Sequence, residues 1–379
     1  MKEVDVAVVG AGAGGSACAF HLAQAGRSVV VLEQGDWPRS KACGGGMAAS
    51  VQRWFPFDLS PAVDQVIRQV RFTWCLEDPV TAVLPGDSPF WIVRRSRLDA
   101  FLIEQATLAG AELQQQWPVH TVNREGSLWR LAGPAGELFA RSVVIADGSS
   151  SRLAGPLGLG PAKPRFATTM SVELEGATSE PDTARFEFGL VRHGFCWAFP
   201  RQGGFSIGVG TFIGRDASDQ AAQTDAVLDQ LLPSLGFQAG DGERRGGQLR
   251  IWDGHHRLHG DGLIVVGDGA SLCDPFLAEG IRPALMSGTY GAQALDRWLG
   301  ANPGSLAEYT VTMRQAWGES MAWGKRIAQV FYRVPKVGYQ LGIKRPTAPQ
   351  RIAQILSGEM GYGDIAQRVI RRLLFQGNR

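Results

Sequence analysis

A glycine-rich turn close to the N-terminus constrains the fold of this chain more than any other feature of its sequence. Residues 5–9 form a short apolar run of the length that a buried parallel strand needs. The turn that follows matches the spacing G-x-G-x-x-G, with Gly10, Gly12 and Gly15. Residues 16–26 then carry apolar and small side chains at helical spacing, and a second apolar run, 28–32, ends in Glu33. A strand, a glycine turn, a helix, a strand and an acid in this order predict a Rossmann-like unit that binds a dinucleotide.

Each part of this unit has a physical role in holding a dinucleotide. We expect Gly10 to permit the tight turn, Gly12 to let the backbone approach a pyrophosphate, and Gly15 to let the helix pack on the strand. Free N–H groups at the start of the helix would face the phosphates. Glu33 can accept hydrogen bonds from both ribose hydroxyls of an adenosine, which disfavours NADP as the resident ligand, since a basic residue would suit a 2′-phosphate. The residues predicted to contact the dinucleotide here are Gly10, Gly12, Ala13, Gly14, Gly15, Glu33 and Gln34.

The composition describes a globular protein of two joined domains. A chain of 379 residues is long for one hydrophobic core, and 44% of its residues are hydrophobic. The formal charge of +2 lacks the basicity of a nucleic-acid binder. Five widely spaced cysteines without a C-x-x-C pair argue against a disulfide framework or a structural zinc. Since the N-terminus runs straight into a strand and no long apolar stretch follows, we expect a cytoplasmic protein without a signal peptide or transmembrane helix.

The remaining runs predict an α/β fold in three parts. Apolar strands at 142–146 and 262–266 extend the first unit, whereas alternating runs between 166 and 212 predict an inserted antiparallel sheet. A Rossmann-like nucleotide-binding domain is predicted for residues 1–68, 94–165 and 255–300. A substrate-binding domain with an antiparallel or mixed β-sheet is predicted for residues 69–93 and 166–254. A C-terminal region that is helical and basic is predicted for residues 301–379.

Three local patterns are interpreted as structure rather than chemistry. Residues 70–75 and 80–84 predict a hairpin with its turn at residues 78–79. Four of the cysteines are interpreted as packing residues: Cys18, Cys75, Cys196 and Cys273. Three histidines in a predicted loop lack a matching pair of acids, which favours a solvated loop over a metal site: His255, His256 and His259.

Five sequence patterns together indicate a family resemblance. They are the G-x-G-x-x-G turn with Glu33; Lys41-x-Cys43-Gly44-Gly45; Ala146-Asp147-Gly148-x-x-Ser151; Phe195-x-Trp197-x-Phe199-Pro200; and Gly267-Asp268-x-Ala270 followed by Asp274-Pro275-x-x-x-Glu279-Gly280-Ile281. With these patterns, over most of residues 4–287, the chain resembles the geranylgeranyl reductase family, within the flavoprotein superfamily that includes p-hydroxybenzoate hydroxylase. It departs from the family pattern at two positions, since Phe195 stands where tyrosine is frequent and Ala278 where glycine is usual.

The resemblance implies FAD as the cofactor. Besides the N-terminal residues, it implies contacts from Cys43, Gly44, Gly45, Arg95, Asp147, Gly148, Asp268, Pro275, Glu279, Gly280 and Ile281. The last three would begin a helix whose positive end stabilises negative charge on the reduced flavin. Asp147 has a second interpretation, in which its side chain only caps the turn at Gly148.

The resemblance also implies an FAD-dependent oxidoreductase that saturates isolated C=C bonds of a prenyl, geranylgeranyl-type chain. Catalysis is assigned to the loop of Cys43, Gly44 and Gly45. The Cys43 thiol is interpreted as a proton donor or positioning group beside the flavin, the alternative being a small buried hydrophobe. An aromatic wall for the isoprenoid chain, or else ordinary core packing, is predicted from Phe195, Trp197, Phe199 and Pro200. Because a second dinucleotide motif is lacking, the electron donor would bind transiently, as NADPH or a small redox protein.

Two other functions fit the same framework. A flavin-dependent monooxygenase or halogenase is the first, because the aromatic pattern at 195–200 is loosely similar to the halogenase pattern W-x-W-x-I-P. The pattern around Cys43 favours the reductase instead. The second is a non-catalytic prenyl-binding escort protein, since Rab escort proteins resemble this framework and bind prenylated partners.

Positive charge is concentrated at the C-terminal end of the chain. Residues 321–379 contain eleven basic and two acidic residues, a net charge of +9, which leaves −7 for the remainder. Apolar residues interleave with the basic ones from Phe331 to Phe375. These helices either cap the fold with a charged outer face or lie peripherally on an anionic membrane from which a lipid substrate is withdrawn. We favour the membrane, because the predicted substrate is a lipid.

Overall fold

The chain begins with a strand-helix-strand unit and ends in a series of helices. A computed structural model describes residues 3–37, 41–87, 89–212 and 217–368. The strands are β1 (Glu3–Val9), β2 (Val29–Leu32), β3 (Gly46–Ala48), β4 (Val63–Ile67), β5 (Gln69–Trp74), β6 (Glu77–Val83), β7 (Phe90–Val93), β8 (Glu112–Gln114), β9 (Thr121–Glu125), β10 (Leu128–Gly133), β11 (Gly136–Ile145), β12 (Arg165–Glu175), β13 (Thr183–Phe188), β14 (Gly194–Arg201), β15 (Gly204–Thr211), β16 (Arg245–Ile251), β17 (His259–Gly260) and β18 (Leu263–Val265). The α-helices are α1 (Ala13–Gln24), α2 (Arg95–Leu108), α3 (Ala217–Leu231), α4 (Ile281–Leu299), α5 (Ser305–Met313), α6 (Glu319–Arg333), α7 (Pro335–Gly338) and α8 (Ala348–Leu356).

Shorter helical turns complete the secondary structure. Single 3-10 turns are formed by Ala49–Trp54, Ser60–Ala62, Leu232–Leu235 and Gly267–Ala270. Two π-helical turns follow α5 and α7, at Arg314–Gly318 and Tyr339–Ile343. Residues 362–368 are helical as well. The helical character predicted for the C-terminal region is therefore confirmed as far as residue 368, and residues 369–379 of that region lie outside the described residues.

The central sheet joins strands that are far apart in the sequence. Its order is β17-β18-β11-β1-β2-β8, and β10 and β9 extend it from β11. The pairs from β18 to β8 are parallel. The strands β1, β2, β11 and β18 carry continuous apolar runs, as buried parallel strands do. The strands predicted at 142–146 and 262–266 are thereby confirmed as neighbours in the sheet.

The glycine turn between β1 and α1 leaves no room for side chains. Gly10 has φ +100°, and a methyl group on Gly15 would lie 2.0 Å from the carbonyl oxygen of Gly10. Helix α1 also approaches α4 closely, because a methyl group on Gly288 would lie 2.3 Å from the carbonyl oxygen of Gly14. Gly15 thus has the packing position that the motif predicts.

The inserted sheet has the order β16-β12-β15-β14-β13-β5-β6. Its pairs are antiparallel except β13 and β5, which run parallel, so the prediction of an antiparallel or mixed sheet is confirmed. Side chains alternate along β14. Phe195, Trp197 and Phe199 join the main core, whereas Cys196 and Ala198 face a second core formed with α3.

The hairpin of this sheet turns earlier than the sequence predicts. β5 and β6 are joined by Cys75 and Leu76, both in the left-handed region at φ +52° and +66°. The predicted turn at residues 78–79 is wrong, because Pro79 lies within β6, an edge strand in which a missing N–H costs little. Glu187 accepts the N–H of Leu76 at 3.0 Å and holds the turn. Cys75 is exposed here, which contradicts its predicted packing role, while the other three cysteines so assigned are buried.

A three-stranded sheet, β3-β7-β4, lies beside the inserted sheet. Residues 90–93, the end of the segment 69–93 predicted for the substrate-binding domain, form β7, which pairs with β3 and β4. The ring of Phe90 lies 6.4 Å from that of Phe199, measured between centroids. β7 therefore carries the loop after Lys41 towards the aromatic side of β14.

Tyrosine hydroxyls attach the C-terminal helices to the rest of the fold. Tyr332 of α6 donates to the carbonyl of Phe276 at 2.8 Å. Tyr362 donates to the carboxylate of Asp274 at 2.7 Å. Both rings are buried, so these helices belong to the core rather than to a detachable tail. Among the residues described, a helix with the length and apolar character needed to cross a bilayer was not found.

Candidate active site

A large cavity lies where the central and inserted sheets meet. It encloses about 810 Å³, a size within the range of cofactor and ligand sites. One side is formed by the residues that end or follow β1, β2, β11 and β18, and the opposite side by the aromatic face of β14. The crevice beyond the carboxyl ends of parallel strands is where open α/β sheets bind their ligands.

Most residues predicted for the site line this cavity. They are Gly10, Gly12, Ala13, Gly14, Glu33, Gln34, Cys43, Gly44, Gly45, Arg95, Asp147, Gly148, Phe195, Trp197, Phe199, Asp268, Glu279, Gly280 and Ile281. Three predicted residues are not part of the lining. Gly15 packs against the turn, Pro200 lies within β14 and pairs with Phe205, and Pro275 is buried in the loop before α4. Direct contact with a ligand in the cavity is therefore not supported for these three.

The acid at the end of β2 is held by backbone N–H groups. Oε2 of Glu33 accepts the N–H of Ala11 at 2.9 Å, and Oε1 accepts that of Gly35 at 3.1 Å. The residue is 3% exposed. These bonds fix the carboxylate at the edge of the cavity, next to the glycine turn, where the motif expects a ribose.

The loop of Cys43 passes between the aromatic wall and β7. Sγ of Cys43, which is half-buried, accepts the N–H of Gly45 at 3.3 Å. A methyl group on Gly44 would approach Nε1 of Trp197 to 2.9 Å. Gly45 has φ +79°, and a methyl group there would lie 2.0 Å from the carbonyl oxygen of Val93. The glycines are needed because protein atoms leave the loop no space for side chains.

The aromatic wall combines two neighbouring strands. Phe186 of β13 lies 5.2 Å from Phe199 and 5.7 Å from Phe195, between ring centroids. Nε1 of Trp197 is buried, and no acceptor for its N–H occurs in the part of the chain that the structure describes. A buried N–H without an acceptor is costly, so a ligand that accepts from Trp197 would gain affinity. Apart from this one group, the wall is apolar.

Two ion pairs hold basic side chains at the cavity. Arg95, in the first turn of α2, donates to both carboxylate oxygens of Asp99 at 2.9 and 2.8 Å. Lys41 pairs with Asp268 at 2.9 Å. The two hydrogen bonds to Asp99 fix the orientation of the Arg95 guanidinium. The ion pair with Lys41 holds the carboxylate of Asp268 in the turn after β18.

The contacts of Asp147 are compatible with both of its predicted roles, a cap of the turn at Gly148 and a contact with the cofactor. Burial raises the pKa of its carboxyl group, and hydrogen bonds with Ser151 and with the backbone of Arg152 oppose this rise. The side chain therefore caps the turn at Gly148. Its other oxygen, Oδ1, is buried, and within the described ranges it has no hydrogen-bond partner, so one oxygen remains for a ligand.

The residues before α4 carry the most perturbed acid of the cavity. Burial raises the pKa of the Glu279 carboxyl group to about 7, although Arg282, 2.5 Å away, opposes the shift. α4 begins at Ile281, the last of the three residues predicted to begin it, so Gly280 caps the helix and Glu279 lies in the preceding loop. Ala278 has φ +57°, a conformation that favours glycine, the usual residue of the family here. The backbone keeps this conformation at a strain of about 1–2 kcal/mol.

Several lining residues were not predicted as site residues. Lys41 belongs to a quoted pattern, and Phe186 alternates with Phe188 on the strand next to β14, so both carried a usable signal. Residues 117–120 line the cavity from the connection between β8 and β9. No motif marks this connection, because only the sheet topology brings it to the cavity.

The three clustered histidines contact their own neighbours. His256 bonds Asp253 at 2.8 Å, and His259 bonds Thr310 at 2.7 Å. His255 packs edge-on against a tryptophan ring. In residues 3–37, 41–87, 89–212 and 217–368, no three metal-ligating side chains come together.

The donor and acceptor groups of the cavity fit a flavin dinucleotide. The turn at Gly10 brings backbone to the cavity without a side chain, and Glu33 stands at the ribose position of the motif. Asp147 Oδ1 is a buried polar atom at the nucleotide side that protein groups of the described ranges do not satisfy. A polar end and an aromatic end in one cavity match the adenosine and isoalloxazine ends of such a cofactor.

Comparisons with known proteins agree with this fit. Residues 5–77 match the family model for FAD dependent oxidoreductases. A digeranylgeranylglycerophospholipid reductase 2 of Methanothermobacter thermautotrophicus is 28% identical over 312 residues, 78% of this chain and 79% of that protein. A probable electron transfer flavoprotein-quinone oxidoreductase of Escherichia coli is 29% identical over 356 residues, 83% and 82% of the two chains. The crystal structure of a geranylgeranyl bacteriochlorophyll reductase-like protein from Thermoplasma acidophilum has a TM-score of 0.79 at 21% identity, covering 94% of this chain and 92% of that one.

These findings define the class of the protein. It is an FAD-dependent oxidoreductase, and FAD is its cofactor. Within that class, the chain is similar to digeranylgeranylglycerophospholipid reductases in sequence and to a geranylgeranyl bacteriochlorophyll reductase-like protein in fold. Flavin-dependent halogenases share the fold with TM-scores of 0.65 to 0.71, so the fold alone does not separate the two activities.

Proposed function

We propose that the protein saturates isolated C=C bonds of a prenyl chain. The observation that carries this proposal is that the aromatic wall and the glycine turn line one cavity. An apolar chain can therefore lie beside the redox end of a cofactor whose phosphates are held at the glycine turn. The relatives named for digeranylgeranylglycerophospholipid reduction support a geranylgeranyl-type chain as substrate.

The residues of the cavity would divide the work of catalysis. FAD supplies, in its reduced form, a hydride for transfer to carbon. The glycine turn and Glu33 hold the nucleotide, while Arg95 and Asp268 stand where the resemblance expects cofactor contacts. Phe195, Trp197 and Phe199 orient the chain and exclude water. An unactivated alkene offers no carbonyl to take up charge, so alignment in a dry site supplies much of the rate enhancement.

The electron donor that we favour is a small redox protein. The name of the Escherichia coli relative, a probable electron transfer flavoprotein-quinone oxidoreductase, supports a protein donor over NADPH. Stopped-flow reduction under anaerobic conditions distinguishes the two. Rapid bleaching of the flavin by NADPH alone would contradict this choice.

Anaerobic reoxidation tests the proposed reaction. The FAD-loaded protein is reduced with dithionite, freed of excess reductant, and mixed with geranylgeranyl diphosphate or a geranylgeranylated glycerolipid. We expect the oxidised flavin spectrum to return and the product mass to rise by about two units for each double bond reduced. Product formation that requires oxygen would instead indicate a monooxygenase or halogenase, and a protein that takes up no flavin would indicate an escort protein.

We also propose that the C-terminal helices contact an anionic membrane. Four apolar side chains of α6, α7 and the following turn are exposed, by 47 to 68%: Val330, Val334, Val337 and Leu341. Exposed basic residues accompany them: Arg333, Lys336 and Arg345. An apolar strip bordered by basic residues has the charge complementarity that an anionic lipid surface requires.

Vesicle flotation tests this contact. Removing the whole region would unfold the protein, because Tyr332 and Tyr339 are buried in the core. We therefore compare Val334→Asp/Val337→Asp with the control Leu108→Asp, which alters a side chain that is 75% exposed on α2. Because a charge cannot enter the apolar region cheaply, the double variant should lose at least about tenfold of its binding to phosphatidylglycerol vesicles. Equal flotation of the double variant and the control would contradict the proposal.

A further inference from the structure

Glu279 lines the cavity and carries a buried oxygen, Oε1, that has no hydrogen-bond partner among the described residues. Oε1 makes no hydrogen bond within the described residues, whereas Oε2 accepts from Arg282 at 2.5 Å. The side chain is 6% exposed and lines the same cavity as Cys43 and Trp197. A buried oxygen left unsatisfied is destabilising, so such an atom is expected where a ligand or a proton completes it.

The neighbours of Glu279 set its protonation state. The charged and titratable groups that face it from α4, the preceding loop and the C-terminal segment are Arg282, Asp274, Cys273 and Tyr362. Burial raises the pKa of the Glu279 carboxyl group to about 7; Arg282 and a hydrogen bond from the backbone of Ala48 oppose this rise, and Asp274 adds to it. Near neutral pH, a large fraction of Glu279 is therefore a neutral acid with one O–H to donate.

The expected donor, Cys43, lacks these features. In the structure its sulfur accepts the N–H of Gly45, so the contact shown for this side chain uses it as an acceptor. Reduction of an alkene needs an acid within reach of the carbon that does not receive the hydride. Glu279 combines an unpartnered oxygen at the cavity wall with Arg282, a cation that stabilises the carboxylate left after proton transfer.

We infer that Glu279 is the general acid that protonates the prenyl double bond, an inference that rests on the proposed function. Its O–H bond breaks as a C–H bond forms on one alkene carbon, and a hydride from the reduced flavin forms the C–H bond on the other. The hydride carries two electrons from the reduced flavin to the alkene, so the alkene is reduced and the flavin is oxidised. The carboxylate that remains is paired with Arg282 and regains its proton from solvent.

The variant Glu279→Gln tests this role, because glutamine keeps the shape of the side chain and cannot act as an acid. Glu187→Gln is the matched control. Glu187 is also buried, burial also raises its pKa, and its Oε1 also has no partner among the described residues, but it does not line the cavity. Anaerobic reoxidation by the geranylgeranylated lipid is followed from pH 5 to 9, together with FAD affinity.

At saturating FAD, we expect reoxidation by Glu279→Gln to be at least about 100-fold slower than that of the wild type. In the wild type, the rate should fall as the pH rises through the pKa of Glu279, because the acid form is lost, and this limb should be absent in Glu279→Gln. Glu187→Gln should stay within about threefold of the wild type and keep the limb. Independently of activity, infrared titration should show a protonated carboxyl band near neutral pH that disappears only in Glu279→Gln.

Defined outcomes would overturn the inference. The first is a reoxidation rate of Glu279→Gln within threefold of the wild-type rate. The second is a rate of Glu279→Gln that still falls as the pH rises. The third is a loss of activity in Cys43→Ala while Glu279→Gln remains active. If Glu279→Gln does not fold, Glu279→Asp replaces it, and loss of the limb in this variant, which retains an acid, would count against the role. Failure of the wild type itself to be reoxidised by any prenyl lipid would refute the proposed function instead.

Discussion

The two sides of the cavity differ in whether backbone or side-chain atoms form them. The nucleotide side is made largely of backbone, at the turn of Gly10 and at the N–H groups that hold Glu33. The opposite side is made of side chains, with Phe186 from β13 and with Phe195, Trp197 and Phe199 from β14. The glycine turn and Glu33 are encoded within about thirty residues, whereas the aromatic side is complete only where β13 and β14 meet the distant loop of Cys43. Substitutions should therefore affect cofactor binding on one side and substrate chemistry on the other.

The largest effect is expected at Gly15. In Gly15→Ala, the new methyl group would lie 2.0 Å from the carbonyl oxygen of Gly10, a backbone atom that cannot move aside. We expect the free energy of unfolding to fall by about 3 kcal/mol or more and FAD affinity to fall at least about 100-fold. Urea unfolding and fluorescence titration with FAD measure both quantities.

Gly26→Ala is the control for this substitution. Gly26 has φ +80° and nothing within 4 Å of the position of a methyl group. It should lose only about 1–2 kcal/mol of stability and retain FAD, since it tests backbone strain without a clash. Similar losses of FAD in both variants would show that the turn is not the specific anchor of the cofactor.

A smaller effect is expected on the aromatic side, where a substitution should lower substrate turnover rather than FAD affinity. Trp197→Phe removes an indole N–H that has no acceptor in the described part of the chain, so stability should change by less than about 1.5 kcal/mol. FAD affinity should persist, while kcat/KM for the prenyl substrate should fall about tenfold, because the wall becomes smaller. Steady-state kinetics and FAD titration separate the two effects.

Trp129→Phe is the matched control outside the cavity. Nε1 of Trp129 donates to the carbonyl of Asp261 at 3.1 Å, so this variant should lose about 1–3 kcal/mol of stability and no substrate specificity. If Trp197→Phe released FAD, or left kcat/KM unchanged, the division of the cavity into two sides would be wrong.

The smallest effect is expected at Ala278, which lines the cavity in the loop before α4. Its φ of +57° suits glycine, so Ala278→Gly should raise the free energy of unfolding by up to about 1 kcal/mol. Ala301→Gly relieves a similar φ of +71° away from the cavity and should stabilise to the same extent. Only Ala278→Gly should alter FAD affinity, by less than about threefold. A loss of stability in both variants, measured by urea unfolding, would contradict the strain assigned to these alanines.

Local periodicity made part of the fold predictable. The unit from β1 to β2, the start of α4 and the alternation along β14 each depend on residues close in sequence, and each is found. The turn at Cys75 and Leu76 was mispredicted, because its support comes from Glu187, 111 residues away from Leu76. The place of β7 in a separate sheet likewise depends on partners that the sequence does not mark.

The candidate site was predictable in the same uneven way. Motif residues of the nucleotide side line the cavity as a group, since a motif records contacts made by neighbouring residues. The connection at 117–120 and the pairing of Lys41 with Asp268 have no local pattern and follow only from the topology. The unpartnered oxygen of Glu279 is a property of its buried surroundings, which no spacing of residues reveals.

The most direct test of this account is an experimental structure of the protein with FAD and a geranylgeranyl lipid bound. We predict hydrogen bonds from the adenosine ribose to Glu33, the isoalloxazine ring beside the Cys43 loop, and the prenyl chain against Trp197 and Phe199. An isoalloxazine ring outside this cavity, or a prenyl chain bound away from the aromatic wall, would contradict the account.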